Sequence, residues 1–180
     1  GKSFFINLWM HEPHTPFHVD PKLQKRFAKL GERDAIYAAT LYHADLRIGQ
    51  LLDALDRLKL AEDTLVIFSS DNGPWINYGD HAGTTAHLRE AKGTTFDGGV
   101  RVPCIARWPG KVKAGHVNDI PWMTIDVLPT MVNILNAEMP ARSIDGRDAL
   151  PVLVSEPDAT SPQEVYLFYY GRNNLEAIRW

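Results

Sequence analysis

Two oxygen-bearing side chains stand side by side directly after an apolar run of the sequence. Asp71 and Asn72 follow the segment TLVIFSS and precede Gly73 and Pro74. A carboxylate oxygen and an amide oxygen are the hard ligands that Ca²⁺ or Mg²⁺ prefers in proteins. The same four residues, DNGP, are also typical of an Asx-type turn. The pair therefore indicates part of a metal site or a turn, and the residues by themselves leave both interpretations open.

A histidine and a lysine supply the other groups that proton transfer or anion binding needs. His14 lies in HEPHTPF, just after the first apolar segment, where an imidazole can donate a proton to a leaving group. Lys92 precedes the run GTT, and a positive charge beside backbone donors and hydroxyls is what a sulfate or phosphate oxygen needs. A loop histidine and a solvated surface lysine are the alternative interpretations.

The apolar pattern predicts the elements that hold these candidates. Ser3–Met10 is apolar at nearly every position, which is typical of a strand covered on both faces in a parallel sheet. Asp34–Leu60 has helical spacing, and Thr64–Ser70 reads as a second buried strand. Together they predict a βαβ unit with a right-handed crossover. Ligands collect beyond the carboxyl ends of strands in such sheets, and both HEPHTP and DNGP fall at that edge.

Further short elements are predicted in the second half of the sequence. A strand is expected at Cys104–Trp108, and helices are expected at Ile125–Leu135 and Asp148–Val154. Val165–Tyr170 and Leu175–Trp180 flank the turn GRNN with the spacing of a β-hairpin. We therefore expect an α/β fold with a mostly parallel sheet flanked by helices, ending in a small hairpin.

Composition and charge exclude several classes of protein. The 180 residues are 44% hydrophobic and 23% charged, which is the profile of a globular chain of about one domain. Nineteen Lys and Arg against 22 Asp and Glu give a formal net charge of -3 without a basic block, so nucleic acid is not an expected partner. No apolar run approaches the roughly 20 residues that span a bilayer. The single cysteine, Cys104, excludes an internal disulfide.

Three longer motifs, taken in order, point to a protein family. They are FFINLWMHEPHTPF, then LVIFSSDNGP, then AKGTTFDGGVRVPCIARWPG. With these motifs the sequence closely resembles the type I sulfatases, such as the arylsulfatases and N-acetylgalactosamine-6-sulfatase, within the alkaline-phosphatase-like superfamily. The segments DVLPTM, IDGRD and AIRW extend the resemblance over nearly all of the chain. The resemblance implies that the predicted elements form part of an alkaline-phosphatase-like sandwich.

The resemblance also implies a role for each candidate at a matching position. Asp71 and Asn72 match two ligands of a calcium, or sometimes magnesium, ion that also binds sulfate oxygens. His14 matches the histidine near the ester oxygen, and Lys92 matches the lysine that contacts the sulfate and the leaving group. The expected reaction is hydrolysis of a sulfate ester of an aryl or carbohydrate substrate.

Other parts of the family pattern are missing from these 180 residues. The family's nucleophile is a formylglycine made from Cys or Ser in C/S-x-P-x-R, and neither Cys104 in CIARW nor Ser155 in SEPDA fits that motif. The Asp-Asp pair that supplies the first metal ligands in the family is also absent. We therefore expect a C-terminal-side portion of a longer sulfatase that has half of the metal site and no activity alone. Uncovered apolar surface is expected to make it self-associate.

The resemblance leads to expectations about organisation, location and alternative functions. Residues 1–160 are expected to belong to the catalytic domain, and residues 161–180 are expected to start a C-terminal subdomain with the hairpin. The family implies a periplasmic or secreted protein. The alternative functions are a phosphonate monoesterase or phosphodiesterase of the same superfamily, or a catalytically inactive relative that binds sulfated glycans.

The long loop after DNGP is the expected place for substrate contacts. Its aromatic and polar residues favour a carbohydrate substrate, because aromatic faces stack on sugar rings. The residues of interest in this loop are Trp75, Asn77, Tyr78, Asp80, His81 and His87.

Overall fold

The fold consists of one long helix with several short helices and strands, all within residues 2–76 and 83–180, which the computed structural model describes. In chain order the elements are α1 (Pro21–Arg26), a 3-10 turn (Ala28–Leu30), α2 (Glu32–Arg57), β1 (Val66–Ser69), α3 (Asp97–Val100), β2 (Cys104–Arg107), a 3-10 turn (Thr124–Asp126), α4 (Val127–Leu135), α5 (Leu150–Leu153), β3 (Tyr166–Tyr170) and β4 (Asn174–Arg179). Within the two described ranges, no helix has the length and apolar character needed to cross a membrane.

The chain divides into two compact units. The first comprises Gly1–Leu58 and Ser70–Val102, and the second comprises Lys59–Ser69 and Pro103–Trp180. The two loops HEPHTP and DNGP and the segment around Lys92 all belong to the first unit. The four candidate site residues are therefore positioned by the packing of that unit.

The long helix α2 dominates the first unit and confirms the predicted helix, with ends shifted by a few residues. Gly31, with a φ of 82°, precedes it. Glu32 and Asp34 lie in its first turn and Arg57 in its last, which complements the helix dipole at both ends. Its buried residues are Ala35, Ala39, Thr40 and Leu55.

The short helix α1 packs on α2 through aromatic contacts. The Asp20 carboxylate caps α1 by accepting a hydrogen bond from the backbone N–H of Lys22 at 2.8 Å. The rings of Phe27 and Tyr42 meet edge to face with centroids 5.8 Å apart. The Arg26 guanidinium lies 4.6 Å from the centroid of the Tyr42 ring. These contacts fix the chain that follows the HEPHTP loop against the long helix.

The second unit begins with an antiparallel strand pair. β1 pairs with β2 in a register that places Val66 opposite Arg107 and Ser69 opposite Cys104. The Ser69 hydroxyl also donates a hydrogen bond to the carbonyl oxygen of Pro103 at 3.1 Å. Both strands lie where the sequence predicts them, although their pairing is antiparallel.

A buried carboxylate organises the middle of the second unit. Asp126, at the start of α4, is fully buried. Its Oδ2 accepts a hydrogen bond from the backbone N–H of Met123 at 2.8 Å. Its Oδ1 accepts from the backbone N–H of Arg147 at 2.9 Å and from Nε2 of Gln163 at 2.7 Å. Three separate chain segments therefore meet at one side chain.

The C-terminal hairpin confirms the prediction from the GRNN turn. β3 and β4 pair antiparallel, with Tyr166 opposite Arg179 and an irregularity between Phe168 and Tyr169. The turn uses residues with positive φ, which are Gly171 at 43°, Arg172 at 54° and Asn173 at 62°. This is the backbone that such tight connections require.

The mostly parallel sheet and the βαβ unit are not what the described residues form. Both sheets in the described ranges are two-stranded and antiparallel. Ser3–Met10 belongs to no strand there, and Phe5 and Trp9 are 75% and 86% exposed. Apolar composition favours burial, but a strand forms only where a neighbouring backbone supplies hydrogen bonds. The first strand of the predicted unit therefore does not form.

Candidate functional site

Main-chain hydrogen bonds join the DNGP segment to the segment that contains Lys92. The backbone N–H of Lys92 donates to the carbonyl oxygen of Pro74 at 3.0 Å. The backbone N–H of Gly73 donates to the carbonyl oxygen of Gly99 at 2.9 Å. The structure therefore brings Asp71, Asn72 and Lys92 into one region of the first unit.

Three glycines allow close backbone packing at this contact and within the Lys92 segment, because no side chain fits at their positions. A Cβ at Gly73 would lie 1.8 Å from the carbonyl oxygen of Gly98. A Cβ at Gly98 would lie 2.0 Å from the carbonyl oxygen of Glu90, and one at Gly99 would lie 2.4 Å from that of Thr94. Close backbone approach, rather than a freely turning loop, therefore requires glycine here.

Lys92 is half-buried and lies near an aromatic ring. Its Nζ is 5.4 Å from the centroid of the Trp75 ring. A cation at this distance from an indole face is attracted by about 0.5–1 kcal/mol at a partly exposed site. Trp75 directly follows Pro74. The attraction between the Lys92 ammonium group and the Trp75 ring therefore draws the lysine side chain toward the DNGP segment.

The side chains of Asp71 and Asn72 offer oxygen ligands of the kind that a hard cation prefers. Asp71 is exposed and Asn72 is half-buried. The main-chain carbonyl oxygen of Asn72 accepts a hydrogen bond from the Ser70 hydroxyl at 3.1 Å. Calcium takes about six to eight oxygen ligands. Among the residues that the structure describes, no group of three or more His, Cys, Asp or Glu side chains is arranged to hold a metal ion. The pair therefore fits one part of a metal site and does not complete one.

His14 lies on a separate loop of the same unit, which rests against α2. Its backbone N–H donates to the carbonyl oxygen of His11 at 2.9 Å, and its Nδ1 lies 2.7 Å from the carbonyl oxygen of Thr15. A carbonyl only accepts, so Nδ1 carries the hydrogen. The Nε2 atom is then the basic nitrogen of the neutral ring and the second donor of the protonated ring.

The HEPHTP loop and α2 enclose a cavity of about 60 Å³. Glu12 and His43 connect its two walls, because His43 Nδ1 lies 3.0 Å from Glu12 Oε1. Backbone hydrogen bonding at Glu12, followed by the bond from His43, lowers the pKa of the Glu12 carboxyl below its usual value. Glu12 is therefore a carboxylate at neutral pH. The cavity is lined by His11, Glu12, His14, Pro16, Phe17, His18, Thr40 and His43.

Sequence reasoning found the four family positions and missed the Glu12–His43 pair. The two residues are 31 positions apart, and no local pattern links a loop carboxylate to one histidine of a long helix. Of the expected substrate contacts, Trp75 lies beside Lys92 and His87 is exposed. The remaining residues lie outside the described part of the chain, and these are Asn77, Tyr78, Asp80 and His81.

The family follows from a sequence match over most of the chain. The family model described as Sulfatase matches residues 1–137. The chain belongs to the sulfatase family. This sulfatase-family chain is 36% identical over 186 residues to steryl-sulfatase of Mus musculus, and the match covers 100% of this chain and 29% of the relative.

Solved structures, one of them named a sulfatase, share the fold. The PsFucS1 sulfatase from Pseudoalteromonas sp. matches with a TM-score of 0.77 at 31% identity, covering 94% of this chain and 33% of that one. Ps i-CgsB, in complex with k-i-k-neocarrahexaose, matches with a TM-score of 0.75 at 29% identity. The match covers 84% of this chain and 33% of that one. The chain spans about a third of the length of these relatives. Its mixed α/β elements are therefore part of a sulfatase fold.

Proposed function

We propose that this chain is part of a sulfuric ester hydrolase, in which it provides one side of the sulfate pocket and half of the metal site. The observation that carries the proposal is the main-chain contact between DNGP and Lys92, which joins the segment that contains the lysine to the segment that contains Asp71 and Asn72. A transferring sulfuryl group has negative charge on its oxygens, and preorganised positive charge stabilises that charge in the transition state. Membership of the sulfatase family supports the same reaction.

Lys92 and His14 have different proposed roles in this reaction. The Lys92 ammonium binds a sulfate oxygen as a point charge. His14 stands near the ester oxygen and donates a proton to the leaving group from Nε2, because its Nδ1 hydrogen is bonded to the Thr15 carbonyl. Proton donation avoids a charged leaving alkoxide or phenoxide, and the lysine offsets charge on the sulfate.

Asp71 and Asn72 are the proposed ligands of a Ca²⁺ or Mg²⁺ ion. Such an ion, when bound, supplies positive charge to the sulfate oxygens. Asp71 provides the charged oxygen and Asn72 the neutral one, and other ligands complete the site. The formylglycine nucleophile is also proposed to lie outside this chain, because neither Cys104 nor Ser155 stands in C/S-x-P-x-R.

The proposed substrate is a sulfated aryl compound or a sulfated glycan. Arylsulfatase A of Homo sapiens is 33% identical over 168 residues, and its name supports an aryl substrate. Ps i-CgsB was solved with k-i-k-neocarrahexaose, which supports a carbohydrate substrate. The Trp75 ring beside Lys92 is the kind of aromatic face that stacks on a sugar. A periplasmic or secreted location is proposed by analogy with the family.

The proposed arrangement of the longer protein extends the fold described above. Residues 1–160 are assigned to the C-terminal-side part of the catalytic domain, and residues 161–180 to the start of a C-terminal subdomain. The exposed apolar segment Ser3–Met10 is proposed to join the mostly parallel sheet of an alkaline-phosphatase-like sandwich. Strands buried on both faces in such sheets have this continuous apolar character.

Hydrolysis of 4-nitrophenyl sulfate tests the proposed function. The longer protein that contains this chain is expected to turn over the ester in the presence of calcium. Lys92→Met is expected to lower kcat/KM about 100-fold, because methionine keeps the length of the side chain and removes its charge. Lys111→Met, at an exposed lysine of the other unit, is the matched control and is expected to stay within about twofold. The 180-residue chain alone is expected to give no turnover.

Three results would contradict these expectations. Turnover of a phosphonate monoester or phosphodiester in place of the sulfate ester would assign a different hydrolase activity. A Lys92→Met variant with wild-type kcat/KM would remove Lys92 from the sulfate pocket. Measurable turnover by the 180-residue chain would show that the chain holds a complete site.

Self-association of the isolated chain is proposed from its exposed apolar surface. Phe5, Ile6 and Trp9 are 75%, 67% and 86% exposed and belong to one segment. Light scattering is expected to give a mass above the 20.3 kDa of one chain. The double variant Phe5→Ser, Trp9→Ser is expected to lower that mass, because both side chains lie outside any core. A monodisperse monomer of the wild-type chain would overturn this proposal.

A further inference from the structure

Three side chains form a continuous hydrogen-bonded chain between the HEPHTP loop and α2. His43 Nδ1 lies 3.0 Å from Glu12 Oε1. Arg47 Nε donates to His43 Nε2 at 3.2 Å. One end of this chain lies on the loop that contains His14, and the other lies one turn further along the helix.

The chemistry of the partners defines the state of His43. An ionised carboxylate only accepts, so the hydrogen between His43 and Glu12 belongs to Nδ1. A guanidinium only donates, so Nε2 must present its lone pair to Arg47. The neutral Nδ1–H form of His43 makes both hydrogen bonds, whereas a protonated ring would turn an N–H toward the Arg47 donor.

The Arg47 end of this hydrogen-bonded series also has a partner on α2. Arg47 Nη1 donates to Gln50 Oε1 at 3.0 Å, one turn further along α2. This bond restrains the long Arg47 side chain in the position from which its Nε reaches His43. The helix therefore provides a fixed platform for Glu12.

His14 lines the same cavity as two members of this hydrogen-bonded series, Glu12 and His43. Glu12, His14 and His43 all line the cavity of about 60 Å³ between the loop and α2. Glu12 is only two residues before His14, and it lies inside the backbone turn that the His14 N–H closes on the His11 carbonyl. A displacement of Glu12 therefore moves the backbone that holds the His14 ring.

We propose that Glu12, His43 and Arg47 form a positioning relay that fixes the HEPHTP loop on α2 and so holds His14 in place. The role of His14 at the ester oxygen rests on the proposed function, whereas the relay itself concerns only this chain. Glu12, His43 and Arg47 are positioning residues and are not proposed to touch the substrate. Hydrogen bonds behind metal ligands orient those ligands, and their loss typically costs about 10–100-fold in metal affinity or activity; we expect a loss of similar order here.

Side-chain NMR of the 180-residue chain tests the relay without any need for activity. At about pH 8, where free imidazole is neutral, proton-detected ¹⁵N histidine spectra distinguish the two tautomers. The wild-type chain is expected to show His43 as the Nδ1–H form. Glu12→Leu is expected to shift the His14 signals, whereas Glu12→Gln keeps an oxygen acceptor and is expected to leave them near their wild-type positions. Asp53→Asn, at an exposed acid of α2, is the control for a remote charge change.

Activity of the longer protein provides the second readout. His43→Leu is expected to lower kcat about tenfold with KM within about twofold, because His14 is misplaced while the sulfate contacts remain. His43→Gln is expected to recover most of kcat, since a glutamine amide donates to Glu12 and accepts from Arg47 as neutral imidazole does. A variant that merely loosened the fold would not be rescued by this replacement.

The two readouts separate failure of the relay from failure of the proposed function. His43 as the Nε2–H form, or His14 signals that Glu12→Leu leaves unchanged, would overturn the relay. An inactive longer protein whose NMR spectra behave as expected would contradict the proposed function and leave the relay supported. Equal kcat values for His43→Leu and the wild type would show that the relay has no consequence for catalysis and would overturn its positioning role.

Discussion

The Gly98→Ala variant is expected to lose the folded first unit. The new Cβ would lie 2.0 Å from the carbonyl oxygen of Glu90 and 2.6 Å from that of Arg89. Both neighbours are backbone atoms, so a side-chain rotation cannot relieve the overlap. The backbone hydrogen bond from Gly98 N–H to the Arg89 carbonyl, now 2.8 Å, would also be strained. We expect a destabilisation of about 4 kcal/mol or more, at the upper end for single substitutions.

Urea unfolding followed by circular dichroism measures this effect, and Gly49→Ala is the matched control. Gly49 lies inside α2, and no atom lies within 4 Å of a Cβ built there. Alanine at this position is expected to stabilise the helix by about 0.5–1 kcal/mol. If Gly98→Ala unfolds at the same urea concentration as the wild type, Gly98 is not packed this closely against the Arg89 and Glu90 carbonyls.

Replacement of Asp126 is expected to have the second large effect, in the other unit. The buried carboxylate accepts hydrogen bonds from Met123 N–H, Arg147 N–H and Gln163 Nε2. Asp126→Ala would leave these donors without their acceptor in a buried place, at a cost of about 1–3 kcal/mol for each such group. Partial relaxation and entry of water reduce the sum, so we expect a loss of about 4 kcal/mol.

Asp126→Asn tests the chemistry of the contact more sharply than alanine does. All three partners are donors, so an amide NH₂ would face at least one of them. We therefore expect asparagine to lose stability although its shape is almost unchanged. Asp145→Asn, at an exposed acid nearby, is the control and is expected to change stability by less than about 0.5 kcal/mol. An Asp126→Asn variant as stable as the wild type in thermal unfolding would contradict the assignment.

The sequence predicted local elements well because their signals are local. Helical spacing located α2, and the residues GRNN located the hairpin turn between β3 and β4. The positions of β1 and β2 were also predicted. Their antiparallel pairing was not, because an apolar run indicates that a segment is buried without naming its neighbour or its direction. The same limit explains Ser3–Met10, which has the composition of a strand and no partner in the described residues.

The candidate site shows the same division between residue types and contacts. Motifs identified Asp71, Asn72, Lys92 and His14, because oxygen donors, a cation and an imidazole are recognisable as single residues. The bond from Lys92 to Pro74 was not predictable, since it joins main-chain atoms of separate segments. Long-range pairs leave no trace in a single sequence, and this explains why His43 was missed. The catalytic and metal-binding roles of the four candidate residues stay predictions.

The main-chain character of the contact between DNGP and Lys92 has a consequence for how such proteins diversify. Backbone N–H and carbonyl groups make both bonds, so the contact does not depend on the side chains of the loop that follows Trp75. Under the proposed function, mutations in that loop are expected to alter which leaving group fits while the backbone bonds between DNGP and the Lys92 segment are kept. If the proposed function is correct, evolution or loop grafting would change substrate preference while the contact between DNGP and the Lys92 segment is kept.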